Sequence, residues 1–325
     1  MSTDNKEAAE LSDLQRRVEE FRLLAPYLRS EARSISESTH VYGIRRELPI
    51  IIDNNAASEV FLYPANTKEP TPVLFCMHGG GFAIGDALII DSICESLCKQ
   101  ANVHVININY CKAPEHPFPQ ALEQIEAIVK LVATEGFELK VIPQRFILMG
   151  FSAGANLAAG VSMNINKEKY PLLNIAGLIL HYPFLDASTP AYMKSPVDGG
   201  VPQDMAEVFD VMYAPASLRN DPLVSPICAQ LQELAVMPPT LLMPADRDAL
   251  CEECERYASK LLEAGVDARL VKVPGTCHGY VEEAFFPDLN LQLSGEPLIC
   301  SEESITMAKK ALEISANFIN EISVI

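Results

Sequence analysis

The spacing of hydrophobic positions changes twice along the chain. Residues 5 to 35 set apolar side chains among charges at helical spacing (Leu11, Leu14, Val18, Phe21, Leu24), which predicts one or two amphipathic helices. From residue 59 the texture shifts. Short aliphatic and β-branched runs, "EVFLYP" (59–64), "PVLFCM" (72–77), "VHVININY" (103–110), "RFILMG" (145–150) and "IAGLILHYP" (175–183), alternate with helical segments at 121–136 and 156–165. Strand–helix alternation of this kind predicts an α/β fold whose mostly parallel sheet is covered on both faces. The alternation stops near 185 and resumes with "PTLLMPA" (239–245), a helix near 252–265, the strand "ARLVKV" (268–273) and a last helix at about 302–321. The stretch 186–237 between them is punctuated by Pro and Gly and carries one Met- and aromatic-containing helix, "DMAEVFDVMYA" (204–214), so it reads as an insertion over the sheet. Neither an internal repeat nor an interdomain linker is visible, and one domain over 1–325 is expected.

The chain has 325 residues, 49% of them hydrophobic, enough for one large core or two smaller ones. A formal net charge of −18 argues against a nucleic-acid surface, which needs clustered Lys and Arg, and favours an uncharged or cationic small substrate. The nine cysteines are odd in number and show no Cys/His metal spacing, so they read as small core hydrophobes in a reducing compartment. The start, "MSTDNKEAAELSDLQRRVEEF", is charged and lacks the apolar stretch of a secretion signal, and no run has the length of a membrane span. A cytoplasmic location without a membrane span is the expectation.

Two glycine-rich stretches suggest chemistry. In "MGFSAGAN" (149–156) a strand runs into Gly150-Phe151-Ser152-Ala153-Gly154 and then a helix, the arrangement of a nucleophile elbow. An ordinary strand-to-helix turn capped by serine would give the same five residues, so context must decide. It comes from "CMHGGGFAIGD" (76–86), where His78 and Gly79, Gly80 and Gly81 end a strand: backbone amides without obstructing side chains can hold the negative oxygen of acyl transfer. No GK[ST] or helix-opening GxGxxG supports a phosphate loop. The amide of Ala153, next to the serine, would be the remaining donor. A base and an acid should then follow in the order Ser, Asp, His. His278 in "PGTCHGYVEEAF" (274–285) lies in a suitable loop, whereas His181 and His104 sit within apolar strands and His40 in a polar stretch without a motif. For the acid, Asp246 and Asp248 both stand just past the strand "PTLLMPA".

With these elements the chain resembles the hormone-sensitive lipase family of α/β-hydrolase serine esterases. The likeness covers about residues 55–285 and includes "HGGGF" (78–82), "YCKAPEHPFPQALE" (110–123), "GFSAGANLA" (150–158), "DPLVSP" (221–226), "MPPTLLMPADRDAL" (237–250) and "CHGY" (277–280). It implies a triad of Ser152, Asp248 and His278, with Gly79, Gly80, Gly81 and Ala153 around the oxyanion. Three departures are visible. Phe151 stands where the family usually has an acid, Ala155 where it has a second glycine, and Ala249 where the acid's triplet has proline. The resemblance further implies cap elements from about 1–45 and 186–237, and a substrate pocket built from Phe82, Met193, Phe209, Met212, Tyr213 and Tyr280. The expected function is a serine carboxylesterase acting on short- to medium-chain esters, with no metal or organic cofactor, a small-molecule ester as its only partner, and a monomeric or homodimeric state. An amidase or deacetylase on the same triad, and a noncatalytic small-molecule receptor, are the alternatives.

Overall fold

The structure, a computed structural model, describes residues 3–51, 57–136, 139–168, 170, 172–195, 197, 200–286 and 301–324. The chain opens with one helix, α1 (Thr3–Glu37), followed by the strands β1 (Ile44–Ile51), β2 (Ala57–Tyr63) and β3 (Thr71–Met77). Alternation then runs α2 (Asp91–Ala101), β4 (His104–Asn109), α3 (Gln120–Glu135), β5 (Val141–Phe151), α4 (Ala153–Glu168) and β6 (Ile175–His181). After α5 (Gln203–Tyr213) and the short α6 (Leu231–Leu234) come β7 (Thr240–Met243), β8 (Ala245–Arg247) and α7 (Cys251–Glu263). The chain ends with β9 (Ala268–Leu270), β10 (Val273–Cys277), α8 (Tyr280–Phe285) and α9 (Glu302–Val324).

Eight strands form one sheet in the order β1-β2-β4-β3-β5-β6-β7-β9. β2 pairs antiparallel with both β1 and β4, and every other neighbouring pair is parallel. The central strands are apolar on both faces because helices cover both. Along β3 the period of two splits the side chains: Val73, Phe75 and Met77 join the core under α3 and α4, while Leu74 and Cys76 join the core under α2 and α9. A third apolar cluster lies outside the sheet. There Val18, Phe21 and Ala25 of α1 meet Val208, Phe209 and Met212 of α5, together with Ala83 and Ile84 from the loop after β3. Arg17 ties the same two helices, donating to the Glu207 carboxylate at 3.0 Å and the Asp204 carbonyl at 2.7 Å. No described helix is long and apolar enough to cross a membrane.

Some boundaries differ from the pattern in the sequence. The apolar run 268–273 is divided: Ala268–Leu270 joins the main sheet, and Val273 begins β10, which pairs in parallel with β8 in a separate two-stranded ribbon. Hydrophobicity cannot register that division, because both pieces are extended. β1, α2 and α8 are further elements that the periodicity left unassigned.

Candidate active site

The sharpest turn in the sheet carries Ser152. β5 ends at Phe151 and α4 begins at Ala153, so Ser152 alone makes the crossover, with φ +52° in the left-handed region. Glycines make so close a crossover possible. A Cβ on Gly150 would lie 2.2 Å from the Gly154 carbonyl oxygen, and one on Gly154 would lie 2.3 Å from that of Met77. The strained residue is held from β6, where the His181 carbonyl accepts its amide at 3.0 Å.

Two further strand ends meet it. The β8–β10 pairing brings the residues after both strands to one edge, and there His278 Nδ1 lies 2.7 Å from Asp248 Oδ2 and Nε2 lies 2.8 Å from Ser152 Oγ. Asp248 is buried, and its other oxygen accepts the Leu250 amide at 3.1 Å, which fixes the carboxylate against the start of α7. Asp246 is exposed and instead accepts the Thr276 amide at 3.1 Å, bracing β10. Burial alone would push the His278 pKa down, but the Asp248 charge and hydrogen bond outweigh it and leave the imidazole above its ordinary value. The other histidines named above are occupied elsewhere. His104 accepts the Ala65 amide at 3.0 Å, His181 is bonded to Ser315 Oγ at 3.1 Å, and His40 packs on Tyr42.

The loop after β3 has φ +115° at Gly80 and +56° at Gly81. Side chains are excluded there: a Cβ on Gly80 would meet the Ile84 carbonyl oxygen at 2.3 Å, and one on Gly81 the Phe209 ring at 2.3 Å. The amides of Gly80 and Gly81 donate no hydrogen bond among the described residues, and Ala153, as the first residue of α4, has no partner for its own within the helix. His78 anchors the loop from beneath. Its buried ring is stacked on Tyr110 at 4.4 Å, and Nδ1 donates to the Gly79 carbonyl at 2.6 Å. Three unpaired amides beside a serine–imidazole–carboxylate chain can hold a tetrahedral oxyanion while the imidazole moves the serine proton.

A cavity of about 140 Å³ opens above Ser152 and His278, lined by aromatic rings of Tyr182, Phe184, Phe82 and Phe209. Four of the expected pocket residues do not line it. Met212 shares with Val208 and Phe209 the apolar cluster that α5 makes with α1 but does not reach the cavity, and Tyr213, at the end of that helix, stacks on Phe82 at 3.5 Å. Tyr280 is wholly buried behind Tyr182, and Met193 is 66% exposed. Which way each side chain points depends on how α5 and α8 are seated, which composition does not report. Conversely, Tyr182, Lys194, Asp210, Glu282 and Glu283 line the cavity and were not singled out. For the two glutamates a signal was in view: "HGYVEE" puts them one helical turn beyond His278. The described cysteines are all free. Cys251 and Cys254 form a CxxC pair on α7, but burial pushes both thiols up and disfavours reactive thiolates.

A family model described as the alpha/beta hydrolase fold matches residues 74–282. Carboxylesterase NlhH of Mycobacterium tuberculosis is 26% identical over 286 residues, covering 87% of this chain and 85% of that protein. Carboxylic ester hydrolase LipN of the same organism is 32% identical over 269 residues, covering 78% and 69%. Among solved structures, EstE1, a thermostable carboxylesterase cloned from a metagenomic library, superposes with TM-score 0.75 at 26% identity, over 93% of this chain and 97% of that one.

Proposed function

We propose that this chain, which belongs to the α/β-hydrolase family in its hormone-sensitive-lipase-like branch, is a serine carboxylesterase. The observation that carries the reading is the unbroken chain from Ser152 Oγ through the His278 ring to Asp248, at 2.8 and 2.7 Å. In the first half-reaction His278 Nε2 takes the hydroxyl proton as Oγ attacks the ester carbonyl, and Asp248 holds the tautomer that leaves Nε2 free and then stabilises the imidazolium. The amides of Gly80, Gly81 and Ala153 bind the oxyanion, with Gly79 shaping their loop. The imidazolium protonates the departing alkoxide. Water activated by the same nitrogen then hydrolyses the acyl-enzyme.

The aromatic lining and limited volume of the cavity support short- to medium-chain acyl groups. α1 and the segment 186–237 would serve as its cap, a reading supported by Phe209, which lines the cavity and meets Phe21 of α1 edge-on at 5.5 Å. Labelling with a fluorophosphonate tests the nucleophile. Stoichiometric label on the peptide that contains Ser152, together with turnover of p-nitrophenyl butyrate, is expected; an unlabelled, fully folded protein without turnover would point to a binding protein.

A further inference from the structure

Catalysis on this reading uses one carboxylate of the cleft, yet Asp210, Glu282 and Glu283 line it as well as Asp248. Glu282 has a donor in the Tyr182 hydroxyl. Asp210 has none. It is 7% exposed, its carboxylate takes no hydrogen bond or ion pair among the described residues, and it lies on the face of α5 whose Gln203 and Ala206 also line the cavity. Glu283, half-buried, is likewise without a donor. The cavity's own ammonium is engaged elsewhere: Lys194 donates to Glu253 at 2.6 Å and to the Asp186 carbonyl at 2.8 Å, so that it and Arg219 favour the Asp210 charge through space without bonding to it.

A buried carboxylate without a donor is costly, and burial accordingly pushes the Asp210 and Glu283 carboxyls up to about 7. A cation entering the cavity would relieve that cost, and the lining already shows one such pairing, the Lys194 ammonium lying over the Phe184 ring at 4.6 Å. An anionic substrate would meet unfavourable charge on both sides. We propose that the cleft contains a cation subsite, with Asp210 its contacting carboxylate and Glu283 reinforcing the field, so that the preferred substrates are esters bearing an ammonium group a few bonds from the scissile carbonyl. The substrate class rests on the serine-esterase reading; the subsite itself does not.

Two isosteric ester pairs test it at pH 8, above the value of about 7 to which burial pushes both carboxyls. Butyrylcholine against 3,3-dimethylbutyl butyrate places the charge in the alcohol, and ethyl 4-(trimethylammonio)butyrate against ethyl 5,5-dimethylhexanoate places it in the acyl group. In at least one pair the charged ester should have the higher kcat/KM, by about tenfold. Asp210→Asn should bring that ratio close to one, and Asp210→Glu should retain most of it. Ratios at or below one in both pairs overturn the proposal, as does a preference that survives both Asp210→Asn and Glu283→Gln. Should the Asn variant not fold, the native ratios and Glu283→Gln decide. If no ester is hydrolysed, the esterase reading fails on its own, and calorimetric titration of the native protein with choline and with 3,3-dimethylbutanol takes over. Tighter choline binding supports the subsite, and equal or weaker binding removes it.

Discussion

The two walls of the cleft are built by different physics. On the sheet side, backbone sets the geometry: Ser152 and the Gly80–Gly81 loop hold left-handed conformations, and Cβ atoms at Gly80, Gly150 and Gly154 would fall within about 2.3 Å of carbonyl oxygens. On the α1–α5 side, side chains set it, through the Phe21–Phe209 edge contact, the Arg17 links to α5 and an unpartnered carboxylate on Asp210. The first wall tolerates almost no change of shape and can therefore hold reacting atoms within tenths of an ångström. The second can change volume and charge while the catalytic groups stay where they are. On the proposed function, chemistry would belong to the rigid wall and selectivity to the adaptable one.

The hardest test of that division is Ser152→Ala. The variant should stay folded by circular dichroism and lose kcat by more than about 10⁴-fold, because the triad acts as a unit. Appreciable residual turnover would move the nucleophile elsewhere. Nearly as large an effect is expected for Asp248→Asn, which keeps the shape but leaves His278 in the wrong tautomer, lowering kcat by on the order of 10⁴. Asp246→Asn touches only the Thr276 amide and should change kcat by less than about tenfold, or under about 1.4 kcal/mol of barrier. The reverse ranking would reassign the acid.

The pH profile offers a smaller, graded test. His278 must be neutral to act as base, and since its pKa is held above the ordinary value, the acid limb of kcat/KM should lie above pH 6.5 and fall about tenfold per unit below its midpoint. The Glu282 and Glu283 charges add to that upward shift, so Glu282→Gln and Glu283→Gln should each move the limb to lower pH. A limb that does not respond would mean that these carboxylates are electrically remote from the base. Stability has the opposite sense. Burial pushes the Glu282 carboxyl up to about 7, so its folded form opposes ionisation and stability is lost as pH rises through that value. Glu282→Gln should therefore gain in melting temperature relative to the native chain between pH 5 and pH 8.

The adaptable wall is probed last. Phe209→Ala enlarges the cavity and should shift the octanoate-to-butyrate ratio of kcat/KM by about tenfold. Met212→Ala, behind the wall, should leave that ratio alone while costing about 2–4 kcal/mol of stability. Equal shifts in both variants would erase the distinction between lining and support.

How much of this was legible in the chain follows the same boundary. Ser152 and the HGGG loop could be found because a residue forced into the left-handed region, or a backbone pressed against another, leaves glycine at fixed offsets in the sequence. His278 could be found by elimination and chain order. The pocket could not be read in the same way. Of the six side chains expected to line it, Phe82 and Phe209 do, whereas Met193, Met212, Tyr213 and Tyr280 pack or project elsewhere. An apolar residue on a helix next to the cavity satisfies the same hydrophobic pattern whether it faces the substrate or the core.

By itself, then, the sequence determined what local backbone stereochemistry and periodicity determine: a mostly parallel sheet between helices, a serine on a glycine-bounded turn, and a loop whose amides stay open. The tertiary structure alone decided what depends on elements distant in the chain coming together. It brought His278 to Asp248, the acid that the resemblance implied, and gave Asp246 a separate place against the Thr276 amide, because the β8–β10 pairing carries the loops after both strands to one edge. It also put Asp210 and Glu283 at one cavity with Ser152. Nothing local distinguishes these two from solvated acids on any amphipathic helix, since the energy of a charge is set by what surrounds it in space.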